Sequence, residues 1–391
     1  MPADALWLRA GADRHGPAAL LDDGYLVANR PSEAAPDEDA GPEPPHGHLA
    51  ERVRGLLAEG VCELPCPDER PVTLHIAHSW GGGVWRWIED FIDGSEAPQL
   101  VLVAVSDGAG TVCGRRLQLC ALGPRRGVIR ELALAPQIGS SVADHAGYRA
   151  ALETVIRRYG VGRVVVSSLV GHSLDALTTG RPTLQVLHDF YPAWPLLGHD
   201  PRPFLDANDG DPDAARAAAV EAHRSTMRLQ PPDPAFWNAL DRNWLEAVQA
   251  GRVRCVAPTA HVARRWQALH PDAELEIDVV PHGFRPFSSE PPAIDAPALE
   301  AGSDEPLRLV IPGRLTEGKG LDLLEAALPR LAGRVRLTAL GCGRDGYRLF
   351  GRSGIDVIPG YRRDELPELI AALRPHAALL LSTVPETWNY T

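Results

Sequence analysis

Residues 72–85, Val72-Thr-Leu-His-Ile-Ala-His-Ser-Trp-Gly-Gly-Gly-Val-Trp85, decide the fold class of this chain. The aliphatic and β-branched run over 72–77 predicts a buried strand, and the glycines at 81–83 predict a tight turn into a helix. Helical patterns at 148–160 and 261–270 alternate with further short apolar runs. These runs are the strand candidates 99–105, 163–168, 183–187, 253–257 and 276–280. The alternation predicts an α/β fold whose parallel strands are buried on both faces.

The same pattern restarts after a joint rich in Pro, Ser and acidic residues at 286–304. The second set consists of strand candidates at 307–312, 334–340, 355–359 and 377–381, with helical patterns at 320–331 and 363–373. We therefore predict two Rossmann-like halves joined by a hinge. Residues 1–70 are predicted to form an extension, with a Pro/acid-rich linker at 31–48 and a short helix at 49–60. An N-terminal domain is predicted over 71–290, with a helical insert at 199–250. A C-terminal domain is predicted over 303–391.

Composition and charge exclude several functions. Of 391 residues, 39 are basic and 51 are acidic, so the net charge of −12 has the wrong sign for a nucleic-acid-binding protein. Six cysteines are too few for a disulfide scaffold, and no apolar run is long enough to cross a membrane. The sequence thus predicts a cytoplasmic protein.

Three segments carry chemistry at predicted strand ends. Gly81, Gly82 and Gly83 follow the first strand, where backbone N–H groups and a helix N-terminus can face an anion; a packing turn is the alternative. His188 and Asp189 end another strand, at the sheet edge where α/β proteins build their ligand sites; the alternative is a histidine capped by its neighbouring aspartate.

Arg314 and Lys319 flank the third segment, the glycine-containing turn that leads into a predicted helix. Arginine binds phosphate bidentately and lysine acts as a compact point charge, so both can converge on one small anion. Lys319 is the single lysine of the chain, and every other cationic side chain is arginine. This choice indicates a required point charge; a solvated surface turn is the alternative.

Three further sequence features carry weaker signals. Glu386 follows the last predicted strand and suits sugar hydroxyls, although taken alone it is better explained as a helix-start acid. The D-x-D pattern within 206–211 is better explained by helix capping than by a metal. Cys62 and Cys66 lack a second ligand pair for zinc.

The ordered series GGG, HDFYP, VVPHG, GRLTEGKG, ALGCG and PETWNYT over residues 71–391 resembles the retaining GT-B glycosyltransferases of family 4, also called group 1. The resemblance implies two Rossmann-like domains facing a cleft. It implies catalytic roles for His188, Asp189, Arg314 and Lys319. The donor-binding residues that it implies are Gly81, Gly82, Gly83, Gly341, Gly343, Tyr361 and Glu386.

The resemblance also implies the reaction. A hexose passes from a nucleotide-diphosphate sugar to an acceptor hydroxyl with retention, by a front-face route without metal or other cofactor. The acceptor would be a glycan or a lipid-linked glycan in polysaccharide or glycoconjugate synthesis, with peripheral membrane association and further domains as additional expectations. A nucleotide-sugar epimerase or hydrolase, or an inactive binding module, remains as an alternative.

The family pattern E-x7-E begins at Glu386, and its second glutamate would stand at position 394. We therefore expect the C-terminal domain to be incomplete and the chain to be a fragment. The helical insert contains Trp237 and Trp244, which either shape an acceptor groove or pack as core. We favour the core interpretation.

Overall fold

A computed structural model describes residues 72–80, 82–93, 95, 97–106, 113–121, 127–197, 199–227, 231–251, 253–282, 305–383 and 387, and two short strands before them. Those strands, β1 (Ala18–Leu20) and β2 (Leu26–Ala28), pair antiparallel. The chain divides into two compact units, one of residues 1–197 and 201–282 and one of residues 198–200 and 283–391. The predicted linker at 31–48, the helix at 49–60 and the joint at 286–304 lie outside the described residues, as do Cys62 and Cys66.

An eight-stranded sheet forms the first unit. Its strands are β3 Val72–His78, β4 Gln99–Ser106, β5 Cys113–Ala121, β6 Gly127–Ala133, β7 Val161–Val166, β8 Thr183–Val186, β9 Arg254–Ala257 and β10 Ile277–Val279. Their order in the sheet is β10-β9-β8-β7-β3-β4-β5-β6. The strands from β10 to β4 in this order are parallel, whereas β5 and β6 continue the sheet antiparallel. All residues of β3 and β4 are buried.

The expected all-parallel sheet is therefore wrong at one edge, where β5 and β6 had not been predicted. In β5, Leu117 and Leu119 alternate with Arg116 and Gln118, and only the leucines join the main apolar core. This alternation with a period of two is the pattern of an antiparallel strand, and it is weaker than the continuous apolar runs of the central strands. Antiparallel pairing needs only a short connection, and the sequence leaves six residues between β4 and β5 and five between β5 and β6.

Six helices of the first unit lie in its described part, and residues at their ends explain where several begin. They are α1 Gly82–Asp93, α2 Ala146–Tyr159, α3 Arg202–Ala207, α4 Pro212–Ala222, α5 Pro234–Ala250 and α6 Ala260–Leu269. Asp211, Asp233 and Thr259 accept backbone N–H groups at the starts of α4, α5 and α6. The left-handed Gly160 ends α2.

Both faces of the central strands are covered. Leu74 and Ile76 pack into the larger core cluster, whereas Ala77 of the same strand packs with Trp85 and Ile88 of α1. Because side chains alternate along a strand, β3 contributes to both clusters. This double burial explains the continuous apolar run that predicted a parallel strand.

A buried ionic network anchors the insert helices α4 and α5. The Arg216 guanidinium lies 3.0 Å from Asp241 and 2.8 Å from the more exposed Asp213. Asp241 also contacts His270 Nε2 at 2.8 Å, and His270 Nδ1 lies 2.9 Å from the Trp266 carbonyl. The network ties α4 and α5 to the end of α6.

Trp237 and Trp244 of α5 are fully buried, which confirms the core interpretation. The Trp244 indole N–H donates to Gln185 in β8 at 2.9 Å, and that of Trp237 donates to the Pro231 carbonyl at 2.9 Å. Both polar groups of these large side chains are thereby satisfied inside the core.

The second unit is a four-stranded parallel sheet in the order β13-β12-β11-β14. Its strands are β11 Leu307–Pro312, β12 Val335–Leu340, β13 Ile355–Ile358 and β14 Ala377–Ala378, and its helices are α7 Leu321–Leu331 and α8 Leu366–Leu373. The predicted α/β architecture with two Rossmann-like halves is thus confirmed. No helix in the described part of the chain has the length and apolar content that crossing a bilayer requires.

Candidate functional site

The first candidate region lies at the carboxyl end of β3. This strand stands between β4 and β7 at the point where the strand order reverses, which is where α/β sheets bind their ligands. The Trp80 N–H donates to His78 Nδ1 at 3.2 Å, and the Trp85 indole N–H donates to the His78 carbonyl at 2.7 Å. His78 is thus held in one orientation, and burial lowers its pKa to about 4.

The glycine turn follows directly. Gly82 and Gly83 are the first residues of α1 and are exposed, and Gly82 has a φ of +71°, which favours glycine. No acidic side chain lies in the first turn of the helix. The first turn of α1 therefore carries no negative side chain that would repel an anion. Gly81 lies outside the described residues.

His188 lies two residues beyond β8, and its ring faces a second histidine that the sequence interpretation had not assigned to the site. His188 Nδ1 lies 3.1 Å from His282 Nε2, with 4.7 Å between ring centroids. Trp87 of α1 contacts both rings, at centroid distances of 5.5 Å from His188 and 5.9 Å from His282. His282 belongs to the VVPHG segment, so its position after a predicted strand was the available signal.

The histidines of this region are uncharged at neutral pH. Burial, followed by the nearby His282 and His78, holds the pKa of His188 well below its usual range. Burial also lowers the pKa values of His282 and His172 to about 4. The ring of His172 lies next to β3, with its Nε2 2.9 Å from the Ala77 carbonyl. The region is therefore polar and aromatic, without imidazolium charge.

Asp189 closes the turn after His188. Its Oδ1 accepts the Tyr191 N–H at 3.0 Å, and its carbonyl accepts the Trp266 indole N–H at 3.0 Å. Burial raises the pKa of Asp189 to about 6, and the hydrogen bond from the Tyr191 N–H opposes this shift. Asp189 thus has a defined role in shaping the backbone next to His188.

The second candidate region lies at the carboxyl end of β11, where the order of the second sheet reverses between β11 and β14. A short 3₁₀ turn, Glu317–Lys319, leads to Gly320, which immediately precedes α7 (Leu321–Leu331) and has a φ of +81°. The Lys319 N–H donates to the Thr316 carbonyl at 3.0 Å, and the Thr383 N–H donates to the Gly318 carbonyl at 3.1 Å. The turn carrying Lys319 is therefore tied to the segment that follows β14.

Four predicted residues of this unit come together at the same edge. A Cβ on Gly343 would lie 3.4 Å from Arg314 Cγ, and one on Gly341 would lie 2.4 Å from Tyr361 Cε1. The Arg314 side chain thus packs along Gly343 and the Tyr361 ring packs on Gly341. Arg314 also pairs with Asp345 at 3.9 Å, both side chains being 41% exposed. Glu386 lies outside the described residues.

The acidic D-x-D pattern serves a structural purpose. Asp211 Oδ1 accepts the N–H groups of Asp213 and Ala214 at the start of α4, and Asp206 pairs with Arg202 at 3.0 Å. The predicted helix capping is confirmed. Within the described residues, no group of three or more His, Cys, Asp or Glu side chains could hold a metal ion.

No protein-family model matches the chain, and no curated protein matches it significantly. HepE (Alr3699) of Anabaena in complex with UDP is similar with a TM-score of 0.43 at 16% identity, covering 81% of this chain and 76% of that one. HepE in complex with UDP-glucose gives a TM-score of 0.37 at 14% identity, covering 82% and 76%. The catalytic domain of starch synthase IV from Arabidopsis thaliana, bound to ADP and acarbose, gives a TM-score of 0.41 at 12% identity, covering 82% and 80%.

Proposed function

We propose that this chain is a retaining glycosyltransferase that moves a hexose from a nucleotide-diphosphate sugar to an acceptor hydroxyl. The observation that carries the proposal is the turn between β11 and α7. It places Arg314 and the chain's single lysine, Lys319, at the edge of the second sheet where the strand order reverses. A turn with two cations and a helix N-terminus matches a leaving group with two phosphates.

In the proposed reaction the sugar–phosphate bond breaks with oxocarbenium character, and the departing diphosphate gains negative charge. Cations that are already in place when the bond breaks stabilise this charge without reorganising. Arg314 and Lys319 would supply that charge, so the reaction would need no metal ion. Gly341 and Gly343 allow Tyr361 and Arg314 to pack closely onto the backbone.

His188 would hydrogen-bond to the transferred sugar, the role that the family resemblance implies. Its uncharged ring and the aromatic face of Trp87 suit a neutral saccharide, which combines hydroxyl groups with an apolar ring face. In the proposed front-face route, the leaving phosphate oxygen takes the proton of the acceptor hydroxyl. Polysaccharide or glycoconjugate synthesis is the proposed setting.

The proposal is tested by mixing the purified chain with nucleotide-diphosphate sugars and an acceptor mixture. Lys319→Ala should lower kcat/KM by about 100-fold or more, because a preorganised group facing the developing charge is removed. Arg330→Ala, which removes an exposed cation near the far end of α7, is the matched control and should leave the rate unchanged. EDTA should not lower the rate.

Circular dichroism of both variants establishes that the fold is intact. Unchanged transfer by Lys319→Ala would contradict the proposed phosphate contact. Release of free sugar or an epimerised donor at the same rate with and without acceptor would instead identify a hydrolase or epimerase. Binding of a nucleotide diphosphate in calorimetry without any turnover would identify an inactive binding module, and failure to bind any nucleotide diphosphate would contradict the proposal.

A further inference from the structure

The contact between His188 and His282 involves one nitrogen from each ring, Nδ1 of His188 and Nε2 of His282, at 3.1 Å. Both rings also touch Trp87. The neighbouring titratable group from β3 is His78, and Asp189 is the next residue of the chain. The two rings are therefore held in a defined mutual orientation by an aromatic wall.

A single proton occupies this contact. Both imidazoles are neutral at pH 7, since burial lowers the pKa of each. A neutral imidazole has one N–H and one acceptor nitrogen. The protonation of one ring thus determines that of the other: if His282 donates, His188 has its proton on Nε2, and if His188 donates, its Nε2 is an acceptor.

Three other buried histidines of the same unit have their proton on Nε2, whereas His270, whose Nδ1 lies 2.9 Å from the Trp266 carbonyl, carries a proton on Nδ1. His172 Nε2 lies 2.9 Å from the Ala77 carbonyl, and His145 Nε2 lies 2.8 Å from the Pro136 carbonyl, so each must carry a proton on Nε2. His78 Nδ1 accepts a backbone N–H, which gives it the same tautomer. The Nε2–H form is also the intrinsically more stable tautomer of a neutral histidine side chain. Donation by His282 gives both rings this form, and the reverse gives it to neither.

We infer that His282 is a positioning residue: its Nε2–H donates to His188 Nδ1, so that His188 presents its own Nε2–H as a hydrogen-bond donor to an oxygen of the bound sugar. The identity of this ligand rests on the proposed function; the tautomer does not. His188 then cannot act as the base that removes a proton from the acceptor. Its Nε2–H is the donor of the hydrogen bond, and the sugar oxygen is the acceptor.

Nitrogen-15 NMR of the whole chain, labelled at histidine, tests the tautomer without any enzyme assay. The His188 signals are identified by their loss in His188→Gln. At pH 7.5 we expect a protonated Nε2 and a bare Nδ1. A protonated Nδ1, or a doubly protonated ring, would overturn the inference.

Two substitutions separate positioning from simple packing. In His282→Gln the side-chain amide can still donate from a similar place, so His188 should keep its proton on Nε2. In His282→Met the donor is lost, and His188 should become a mixture of both tautomers. An unchanged His188 tautomer in His282→Met would also overturn the inference. If His282→Met does not fold, the wild-type and His282→Gln spectra still decide.

Activity provides an independent reading. We expect His282→Met to lower kcat/KM by about fivefold to tenfold, the size of one positioning hydrogen bond, and His282→Gln to restore most of it. His223→Gln, at a half-buried histidine that ends α4, is the control. Absence of transfer by every form, including the wild type, would refute the proposed function and leave the NMR result standing. Equal activity of His282→Met and the wild type would refute the positioning role.

Discussion

Gly320 joins the turn that carries Lys319 to α7, and replacing it by alanine should disrupt this turn specifically. Gly320 has a φ of +81°, and a Cβ at this position would lie 2.2 Å from the Leu381 carbonyl oxygen. That oxygen belongs to backbone, so it cannot turn aside as the end of a side chain would. Leu381 also packs against the core of the second unit.

The chain offers a matched control at the other end of the same helix. Gly333, beyond the end of α7, has a φ of +76°, and a Cβ there would meet nothing within 4 Å. Gly333→Ala should therefore cost only the left-handed backbone conformation, about 1–2 kcal/mol. Gly320→Ala adds the displacement of packed backbone, about 1–3 kcal/mol more.

Hydrogen–deuterium exchange with mass spectrometry measures both effects segment by segment. The segment after β14 is held by the Leu379 N–H on the Val310 carbonyl at 2.8 Å and by the Thr383 N–H on the Gly318 carbonyl at 3.1 Å. An extra 1–3 kcal/mol corresponds to about 5- to 160-fold faster exchange of 377–383 in Gly320→Ala than in Gly333→Ala. Equal exchange in both variants would refute the packing of this turn against Leu381.

Two further predictions concern buried charge. Asp241→Asn should lower the free energy of unfolding by about 3–5 kcal/mol, because Arg216 is almost fully buried and loses its buried counter-charge. Asp213→Asn, which removes the more exposed partner of Arg216, should lower it by less than about 1 kcal/mol. Equal losses in urea unfolding would contradict this prediction. Burial raises the pKa of Asp189 from 3.8 to about 6, so its contribution to stability declines as the pH rises through this range, by about 3 kcal/mol at most. As the pH rises from 5 to 7.5, the free energy of unfolding of Asp189→Asn should therefore increase relative to that of the wild type in the same assay. A difference between the two proteins that does not change with pH would disprove the raised pKa of Asp189.

The central elements follow from local sequence alone. Continuous apolar runs predicted β3 and β4, because a strand buried on both faces has few polar positions, and shorter apolar runs predicted the strands of the second sheet. Helices α2, α6 and α7 followed from apolar residues at helical spacing, and their predicted and observed bounds agree within a few residues. Strands β5 and β6 were not predicted, because polar residues such as Arg116, Gln118 and Glu131 interrupt their apolar runs.

The candidate sites required the tertiary structure. The single lysine, Lys319, and the residues at strand ends could be recognised in the sequence, because the carboxyl ends of parallel strands share one edge of a sheet. His188 and His282 are 94 positions apart, and Gly318 and Thr383 are 65 apart. Local preferences act over a few residues, so they cannot determine which distant side chains meet. The pairing of the two histidines arises in the first unit and the close packing of Tyr361 on Gly341 in the second. In each unit the contact forms only when separate connections are brought to one edge of that unit's own sheet.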